Sequence, residues 1–120
     1  MPWFTVRAIG PGVWVLQEPI GRVAPSFDVT WVNIYLIAGR ERAAVIDSGM
    51  GMADLLPVCR QLTDLPLINV CTHSHWDHVG GSHQFAERLI HSLEAPRLSK
   101  SYPVGEITQI KAAPATRELA

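Results

Sequence analysis

Three histidines and one aspartate lie within residues 73–78, which read HSHWDH. Imidazole nitrogens and carboxylate oxygens are the groups that bind zinc, iron and manganese in proteins. Residues two apart in an extended or loop segment project to the same side, so His73 and His75 are expected to bind one metal ion together. Asp77 and His78 are adjacent and are expected to diverge, which favours a second metal ion beside the first.

The spacing of these ligands suits a pair of metal ions. Two ions about 3.5–4 Å apart can share a hydroxide, which is a nucleophile at neutral pH, and can polarise a carbonyl or phosphoryl oxygen. The segment therefore indicates hydrolytic chemistry. The alternatives are a histidine-rich surface loop and a closed structural metal site, but cysteines dominate structural zinc sites, and residues 73–78 contain none. Gly80 and Gly81 let the backbone turn sharply beside the segment.

Composition limits the classes of protein that fit. The chain has 120 residues and a net charge of −1, with acidic and basic residues interspersed, so no basic surface for nucleic acid or an anionic membrane is predicted. The longest apolar stretch, around residues 34–38, is too short to span a bilayer, and the first residues do not resemble a signal peptide. Cys59 and Cys71 are expected to be buried thiols in a reducing compartment, which favours the cytoplasm.

Strands and short helices are predicted on both sides of residues 73–78, the metal-type segment. Asp54 is predicted to cap a helix over residues 54–62, and Ser82 to cap a shorter helix whose amide end would favour anions near the segment. Residues 31–37 are almost continuously apolar, which predicts a strand buried on both faces. The predicted strands are residues 6–18 (interrupted at residues 10–12), 30–38, 43–47, 67–72 and 89–93. Residues 19–25 are predicted to form a loop, residues 39–42 a hairpin turn, and residues 113–120 a frayed end.

This order indicates a layered α/β (α+β) domain with the metal site at the carboxyl end of a strand. Residues 73–78 resemble the HxHxDH motif of the metallo-β-lactamase fold hydrolases, and the flanking Thr72 and Gly80-Gly81 extend the match. Residues 47–49 (DSG) resemble the family's earlier aspartate turn, and residues 33–36 (NIYL) its preceding strand. The resemblance covers about residues 13–94. It implies that residues 1–120 are a single domain, the N-terminal half of a metallo-β-lactamase-type αββα sandwich.

The resemblance also implies roles for individual residues. His73 and His75 would bind the first metal ion, and Asp77 and His78 the second. Asp77 would also be catalytic, by handling the proton of the attacking water. Asp47 would orient the loop without touching metal, or else it is simply a strand-end carboxylate in a turn. The expected cofactor is Zn²⁺, as one or two ions, with iron or manganese as alternatives.

The chain departs from the family in its number of ligands. Complete members supply one more histidine to each metal from their second half, whereas the last histidine here is His91. His83 is expected to be solvated and His91 to be structural or at the rim, which leaves two ligands for each metal where a catalytic zinc has three. The second β-layer is also missing, so one apolar face of the strand at residues 31–37 would lack cover. The chain is thus expected to be half of a longer hydrolase or, alternatively, to pair as a homodimer.

The implied function is metal-dependent hydrolysis of an ester, thioester or amide carbonyl by a metal-bound hydroxide. Hydroxyacylglutathione hydrolases, lactonases and β-lactamases are the relatives of this type. Di-iron oxygen-reducing relatives carry glutamate at the position of His75, which argues against them, whereas an iron-dependent sulfur dioxygenase shares the motif and stays an alternative. A truncated or self-associating metal-binding half-domain without catalysis is the alternative from another class. A small-molecule substrate is the expected partner, and neither nucleic acid nor a membrane is expected.

Overall fold

The computed structural model describes residues 2–120, which form a mixed α/β fold of nine strands and four short helices. Two 3-10 turns, Pro25–Phe27 and Ser82–Gln84, lie between these elements. In chain order the elements are β1 (Thr5–Gly10), β2 (Val13–Glu18), α1 (Ile20–Val23), β3 (Val32–Ala38), β4 (Ala43–Ile46), α2 (Leu56–Leu62), β5 (Leu67–Val70), α3 (Trp76–Val79), β6 (Arg88–His91), α4 (Ala95–Leu98), β7 (Tyr102–Val104), β8 (Thr108–Ile110) and β9 (Arg117–Leu119). None of the helices within residues 2–120 has the length and apolar character needed to cross a membrane.

Seven of the strands form one sheet in the order β1-β2-β3-β4-β5-β6-β9, and β7 and β8 form a separate hairpin. The first four strands pair antiparallel, including the predicted hairpin of β3 and β4. The neighbouring strands β4-β5, β5-β6 and β6-β9 pair in parallel. The prediction of a frayed end at residues 113–120 was wrong, because Thr116 exchanges backbone and side-chain hydrogen bonds with Arg88 and aligns β9 beside β6.

One face of the sheet carries the main core. On β3, Ile34 and Leu36 are fully buried, whereas Tyr35 and Ile37 are 36% and 45% exposed. The prediction that this strand is buried on both faces was therefore wrong: α2 covers one face, and the alternating side chains of the other face reach solvent. The core consists of side chains from the strands, α2 and the following loops, namely Phe4, Leu16, Ile34, Leu36, Ala43, Val45, Leu55, Cys59, Leu67 and Phe85.

Both predicted helix caps were wrong. Helix α2 begins at Leu56, and its first N–H groups are satisfied by Gln84, whose Oε1 accepts from the backbone nitrogens of Leu55 (2.8 Å) and Leu56 (2.9 Å) in place of Asp54. Ser82 starts only a 3-10 turn, because its hydroxyl lies buried against the Ser48 hydroxyl at 2.8 Å. No helix dipole from residues 82–89 therefore acts on the metal-type segment. The predicted loop at 19–25 contains the single helical turn α1.

Candidate metal centre

The parallel strands β4 and β5 bring the predicted site residues to one edge of the sheet. Asp47 directly follows β4, and Thr72 and His73 follow β5 after Cys71. Because neighbouring parallel strands end at the same edge, these residues meet although they are distant in sequence. His73 and His75 lie in the predicted loop, whereas Asp77 and His78 lie in the helical turn α3, which the sequence analysis did not predict.

The three histidines of the motif lie close together, and Asp77 lies beside one of them. Its ring centroid is 4.6 Å from that of His75 and 4.3 Å from that of His78. His78 Nε2 lies 3.5 Å from Asp77 Oδ2. The expectation that Asp77 and His78 diverge was wrong, because successive side chains in a helical turn are rotated by about 100° and not by the half-turn of an extended chain.

One carboxylate fixes the ring orientation of two histidines. Asp47 is buried, and its Oδ1 accepts from the Thr72 backbone N–H at 2.7 Å. Its Oδ2 accepts from His78 Nδ1 at 2.9 Å. The Thr72 hydroxyl donates its only proton to Asp47 at 2.9 Å, and therefore accepts from His73 Nδ1 at 2.8 Å. Both rings thus carry their proton on Nδ1 and leave Nε2 free for a metal ion.

The hydrogen bond to Asp47 raises the pKa of His78 above its ordinary value, an effect that burial of the ring opposes.

Asp47 itself adopts the left-handed backbone conformation, with φ of 64°. This conformation is uncommon for residues other than glycine, although aspartate and asparagine tolerate it best. The turn after β4 therefore aims the carboxylate back at Thr72 and His78.

A buried polar network supports the backbone around the site. The Ser48 hydroxyl contacts the Ser82 hydroxyl and accepts from the Gly81 N–H at 3.1 Å. Asn69 donates to the backbone carbonyls of Val45 and Asp47, at 3.0 Å in both cases. These bonds tie the ends of β4 and β5 to the chain that follows α3. Each is buried, so its loss would leave an unsatisfied polar group.

The two cysteines are buried free thiols. Cys59 lies in α2, and burial raises its pKa to about 12. Burial likewise raises the pKa of Cys71 to about 11, and its Sγ lies 3.4 Å from Asn69 Oδ1. Neither is a thiolate near neutral pH.

The remaining histidines lie outside the group. His83 Nδ1 contacts the Gly80 carbonyl at 3.1 Å, and burial lowers the pKa of its ring, so it is partly buried where solvation was expected. His91 is exposed and accepts from the Leu93 N–H through Nδ1, as a residue at the rim would.

Glu94 accepts from the Ser74 N–H at 3.1 Å, which lowers the pKa of Glu94 and fixes the backbone between His73 and His75.

The donor set fits a divalent metal ion. One potential ligand atom from each of Asp47, His73 and His78 lies within 4.8 Å of the other two. Both oxygens of Asp47 also take part in the hydrogen bonds with Thr72 and His78. Nitrogen and carboxylate donors of this kind suit zinc, iron and manganese.

A cavity of about 390 Å³ opens beside Asp77 and His78. Four of the residues that line it are apolar or aromatic and four are polar, and its exposed side chains include Trp31 and Val29 from the segment before β3. A small molecule with an apolar group can therefore reach the metal-type residues from this side.

Several supporting residues were missed by the sequence analysis. Thr72 was noted only as a neighbour of the motif, although a hydroxyl directly before the first histidine is a local signal for a bridging role. Gln84 and Glu18 act over long sequence separations, and no local pattern identifies their partners. Glu18 is fully buried and accepts hydrogen bonds from the Trp3 indole and the Met50 backbone, both at 2.7 Å.

Known proteins resemble this chain in sequence. Acyl-coenzyme A thioesterase MBLAC2 of Gallus gallus is 31% identical over 126 aligned residues, which cover 98% of this chain and 44% of that protein. The Homo sapiens protein of the same name is also 31% identical, over 83% of this chain and 38% of its own length. The chain therefore spans less than half the length of these relatives.

Solved structures with the same fold include the metallo-β-lactamase from Hirschia baltica, with a TM-score of 0.70, 19% identity and coverage of 98% of this chain and 52% of that one. The mono-zinc form of FIM-1 from Pseudomonas aeruginosa gives a TM-score of 0.67 at 17% identity, over 98% of this chain and 50% of its own. The sequence model of the metallo-beta-lactamase superfamily matches residues 28–116. The chain therefore belongs to the metallo-beta-lactamase superfamily and contains about half of its fold.

Proposed function

We propose that this chain contributes the metal site of a hydrolase that cleaves thioesters. The observation that carries the proposal is the convergence of His73, His75, Asp77 and His78 at one edge of the sheet, with two of the rings oriented by Asp47. Within the family, hydrolysis of ester and amide carbonyls is the wider reaction class. The thioester is favoured because the relatives at 31% identity are named acyl-coenzyme A thioesterases.

His73 and His75 would hold a first metal ion, and Asp77 and His78 a second. Zinc is the expected metal, with iron or manganese as alternatives for the same donors. A metal ion here would lower the pKa of a water molecule and polarise the substrate carbonyl. The Asp77 carboxylate would take the proton of the attacking water. The water oxygen would bond to the carbonyl carbon, the carbon–sulfur bond would break, and the sulfur would leave as a thiol by taking the proton that Asp77 had accepted.

The cavity beside the site supports a substrate with an apolar acyl group. Trp31 and Tyr35 present aromatic surface at 41% and 36% exposure, and both line the cavity that Asp77 and His78 border. Burying an acyl chain against such surface is favourable at about 25 cal/mol for each Å² of apolar area. The acyl chain would therefore lie along the segment before β3, with its carbonyl towards the histidines.

The test combines metal analysis with turnover. Purified protein loaded with Zn²⁺ would be assayed with acyl-coenzyme A thioesters, a simple ester and nitrocefin, and bound metal would be counted by elemental analysis. Asp77→Asn is expected to lower thioester turnover at least about a hundredfold, since proton transfer by a positioned side chain contributes about 10²–10⁴-fold. Glu41→Gln, in the exposed turn between β3 and β4, is the matched control and should leave turnover unchanged. Protein that holds metal and hydrolyses none of the three substrates would overturn the proposal.

The exposed apolar side chains of the sheet favour a second candidate, a metal-binding chain that acts through association without catalysis. Tyr35 and Ile37 on β3 present such side chains to solvent. Sedimentation of the metal-loaded protein separates the candidates. A stable dimer with bound metal and no turnover supports the association role, whereas a monomer with thioester turnover supports the hydrolase.

A further inference from the structure

We propose that Glu18 is a positioning residue for the metal centre: its buried carboxylate fixes the loop of residues 47–51 that carries Asp47 and thereby sets the orientation of His78. The inference rests on the metal site of the proposed function but is independent of the substrate. Glu18 lies at the end of β2 and is not one of the residues proposed to hold the metal.

The environment of Glu18 is unusual for an acidic side chain. It is fully buried at the carboxyl end of β2. Within residues 2–120, no lysine or arginine nitrogen forms an ion pair with it. Instead, Oε2 accepts from Trp3 Nε1 and Oε1 accepts from the Met50 backbone N–H, both at 2.7 Å. Burial raises the pKa of Glu18, and the two donors oppose this rise. Burying a carboxyl group is costly unless it is hydrogen-bonded, and here each of its two oxygens accepts a short hydrogen bond.

The loop that Glu18 contacts has a conformation that needs external support. Asp47, Gly49 and Gly51 all have left-handed backbone angles, with φ of 64°, 75° and 77°. Glycine adopts this conformation readily, but at Asp47 it persists only where the surroundings fix it. A Cβ atom on Gly49 would lie 2.2 Å from Glu18 Oε1. The carboxylate therefore packs directly on the loop backbone, in addition to its hydrogen bond with Met50.

The opposite side of the loop contacts the end of α3. The Ser48 N–H donates to the His78 carbonyl at 2.9 Å, and the Gly80 N–H donates to the Gly49 carbonyl at 2.8 Å. A Cβ atom on Gly80 would meet the Met50 backbone at 2.1 Å, so the two backbones are in close contact. The loop is thus held between Glu18 and the helical turn of His78. A displacement of the loop would move Asp47 away from both His78 Nδ1 and Thr72.

Glu18→Gln changes this support with little change in shape. The amide oxygen can still accept from the Met50 N–H, but the amide NH₂ would face the Trp3 indole N–H, which is also a donor. We expect the affinity for Zn²⁺ or Co²⁺ to fall about tenfold, within the range seen when a residue that orients a ligand is replaced. The Co²⁺ absorption spectrum should also change, because the geometry around His78 is altered. Glu18→Ala removes both bonds and should lower the affinity further.

Three controls separate positioning from loss of stability. Leu16→Ala lies on the same strand, buried in a different apolar cluster from Met50, and should lower the melting temperature with little change in metal affinity. Trp3→Phe removes the donor to Oε2 together with the pyrrole part of the indole ring, leaves the Met50 hydrogen bond in place, and should change the affinity less than twofold. Added to Glu18→Gln, Trp3→Phe removes the clash of donors and should restore most of the affinity.

Metal affinity would be measured by competition with a chromophoric chelator, on variants shown to be folded by circular dichroism. Unchanged affinity and Co²⁺ spectrum in Glu18→Gln would overturn the inference. An equal loss of affinity in Leu16→Ala would overturn it too, because stability alone would then explain both. If Glu18→Ala does not fold, the metal affinity of Glu18→Gln and its recovery when Trp3→Phe is added still distinguish positioning from loss of stability. Wild-type protein that binds no metal would overturn this inference together with the proposed site, whereas loss of thioester turnover alone would affect only the proposed function.

Discussion

The two faces of the seven-stranded sheet are formed by the same strands but have different surroundings. Ile34 and Leu36 on β3 are fully enclosed by α2 and the following loops, whereas Tyr35 and Ile37, their immediate neighbours in sequence, remain substantially exposed. The carboxyl ends of β4 and β5 lead into the polar network around Asp47. The open face leads to the cavity beside Asp77 and His78.

This contrast shows what an apolar strand sequence does and does not specify. The run at residues 31–37 indicates that both faces favour an apolar environment, but within residues 2–120 only one face has it. An open face with several apolar side chains is a surface for association. The following predictions test how different the two faces are in solution.

The largest effect is expected from a matched pair of substitutions on β3. Leu36→Ala should lower the free energy of unfolding by about 2–5 kcal/mol, because a fully buried leucine loses its contacts and leaves a cavity. Ile37→Ala should cost less than about 1 kcal/mol, because its side chain is 45% exposed. Urea denaturation of both variants gives the two values. Equal losses would show that the open face is covered in solution.

The second prediction concerns Asp47, at the carboxyl end of β4. Asp47→Asn keeps a residue that tolerates the left-handed backbone, but one of its two acceptor oxygens becomes a donor. Metal affinity should fall about 10–100-fold, because Thr72 and His78 lose the group that orients them. Asp28→Asn is the control, since Asp28 is an exposed aspartate with a similar φ of 56°. An affinity retained in Asp47→Asn would show that the histidines do not need this carboxylate.

The third prediction uses the thiol in the covered core. Burial raises the pKa of Cys59 from 9.0 to about 12. A group whose pKa is raised by folding stabilises the protein fully below its unfolded pKa, and this contribution is lost as pH rises from about 9 towards 12, at up to about 1.4 kcal/mol for each pH unit. Urea denaturation from pH 8 to 11 should therefore show a steeper decline for wild type than for Cys59→Ala. Parallel pH profiles would mean that the thiolate is accommodated in the core.

The smallest effect on stability is expected on the open face. Replacing both Tyr35 and Ile37 by serine should lower the free energy of unfolding by about 1–2 kcal/mol, less than Leu36→Ala does, because both side chains are only partly buried. The same variant should reduce any self-association seen by sedimentation velocity, because the apolar surface is smaller. Ile9→Ser, at an isoleucine that is 51% exposed on β1, serves as the control. Association that persists in the double variant but disappears in Ile9→Ser would place the contact on β1.

Much of the fold, and the proximity of the three histidines, could be predicted because they depend on local pattern. The alternation of apolar runs and turns located the strands to within a few residues, and the spacing of the histidines identified the group at His73. Asp47 was singled out by its turn sequence. The divergence of Asp77 and His78 was predicted wrongly, because one turn of helix within a short loop segment leaves no periodic signal.

The errors elsewhere concern contacts between residues far apart in sequence. Ser82 has the chemistry of a helix cap, but Ser48, which lies after β4, engages its hydroxyl. Gln84, and not Asp54, satisfies the first N–H groups of α2. The strand β9 is three residues long and was not recognisable without its partner β6. Local propensity competes with such long-range contacts, and in these places the long-range contact prevailed.

The outer strand β9 affects what kind of assembly the chain can form. It is three residues long, exposed, and carries the opposite charges of Arg117 and Glu118. Short, charged edge strands resist the addition of further strands. Growth of the sheet sideways, strand by strand, would give open-ended filaments, and this edge disfavours it. A two-fold symmetric contact through the open face would use the same patch on both copies, so it would close after two copies and give a discrete particle.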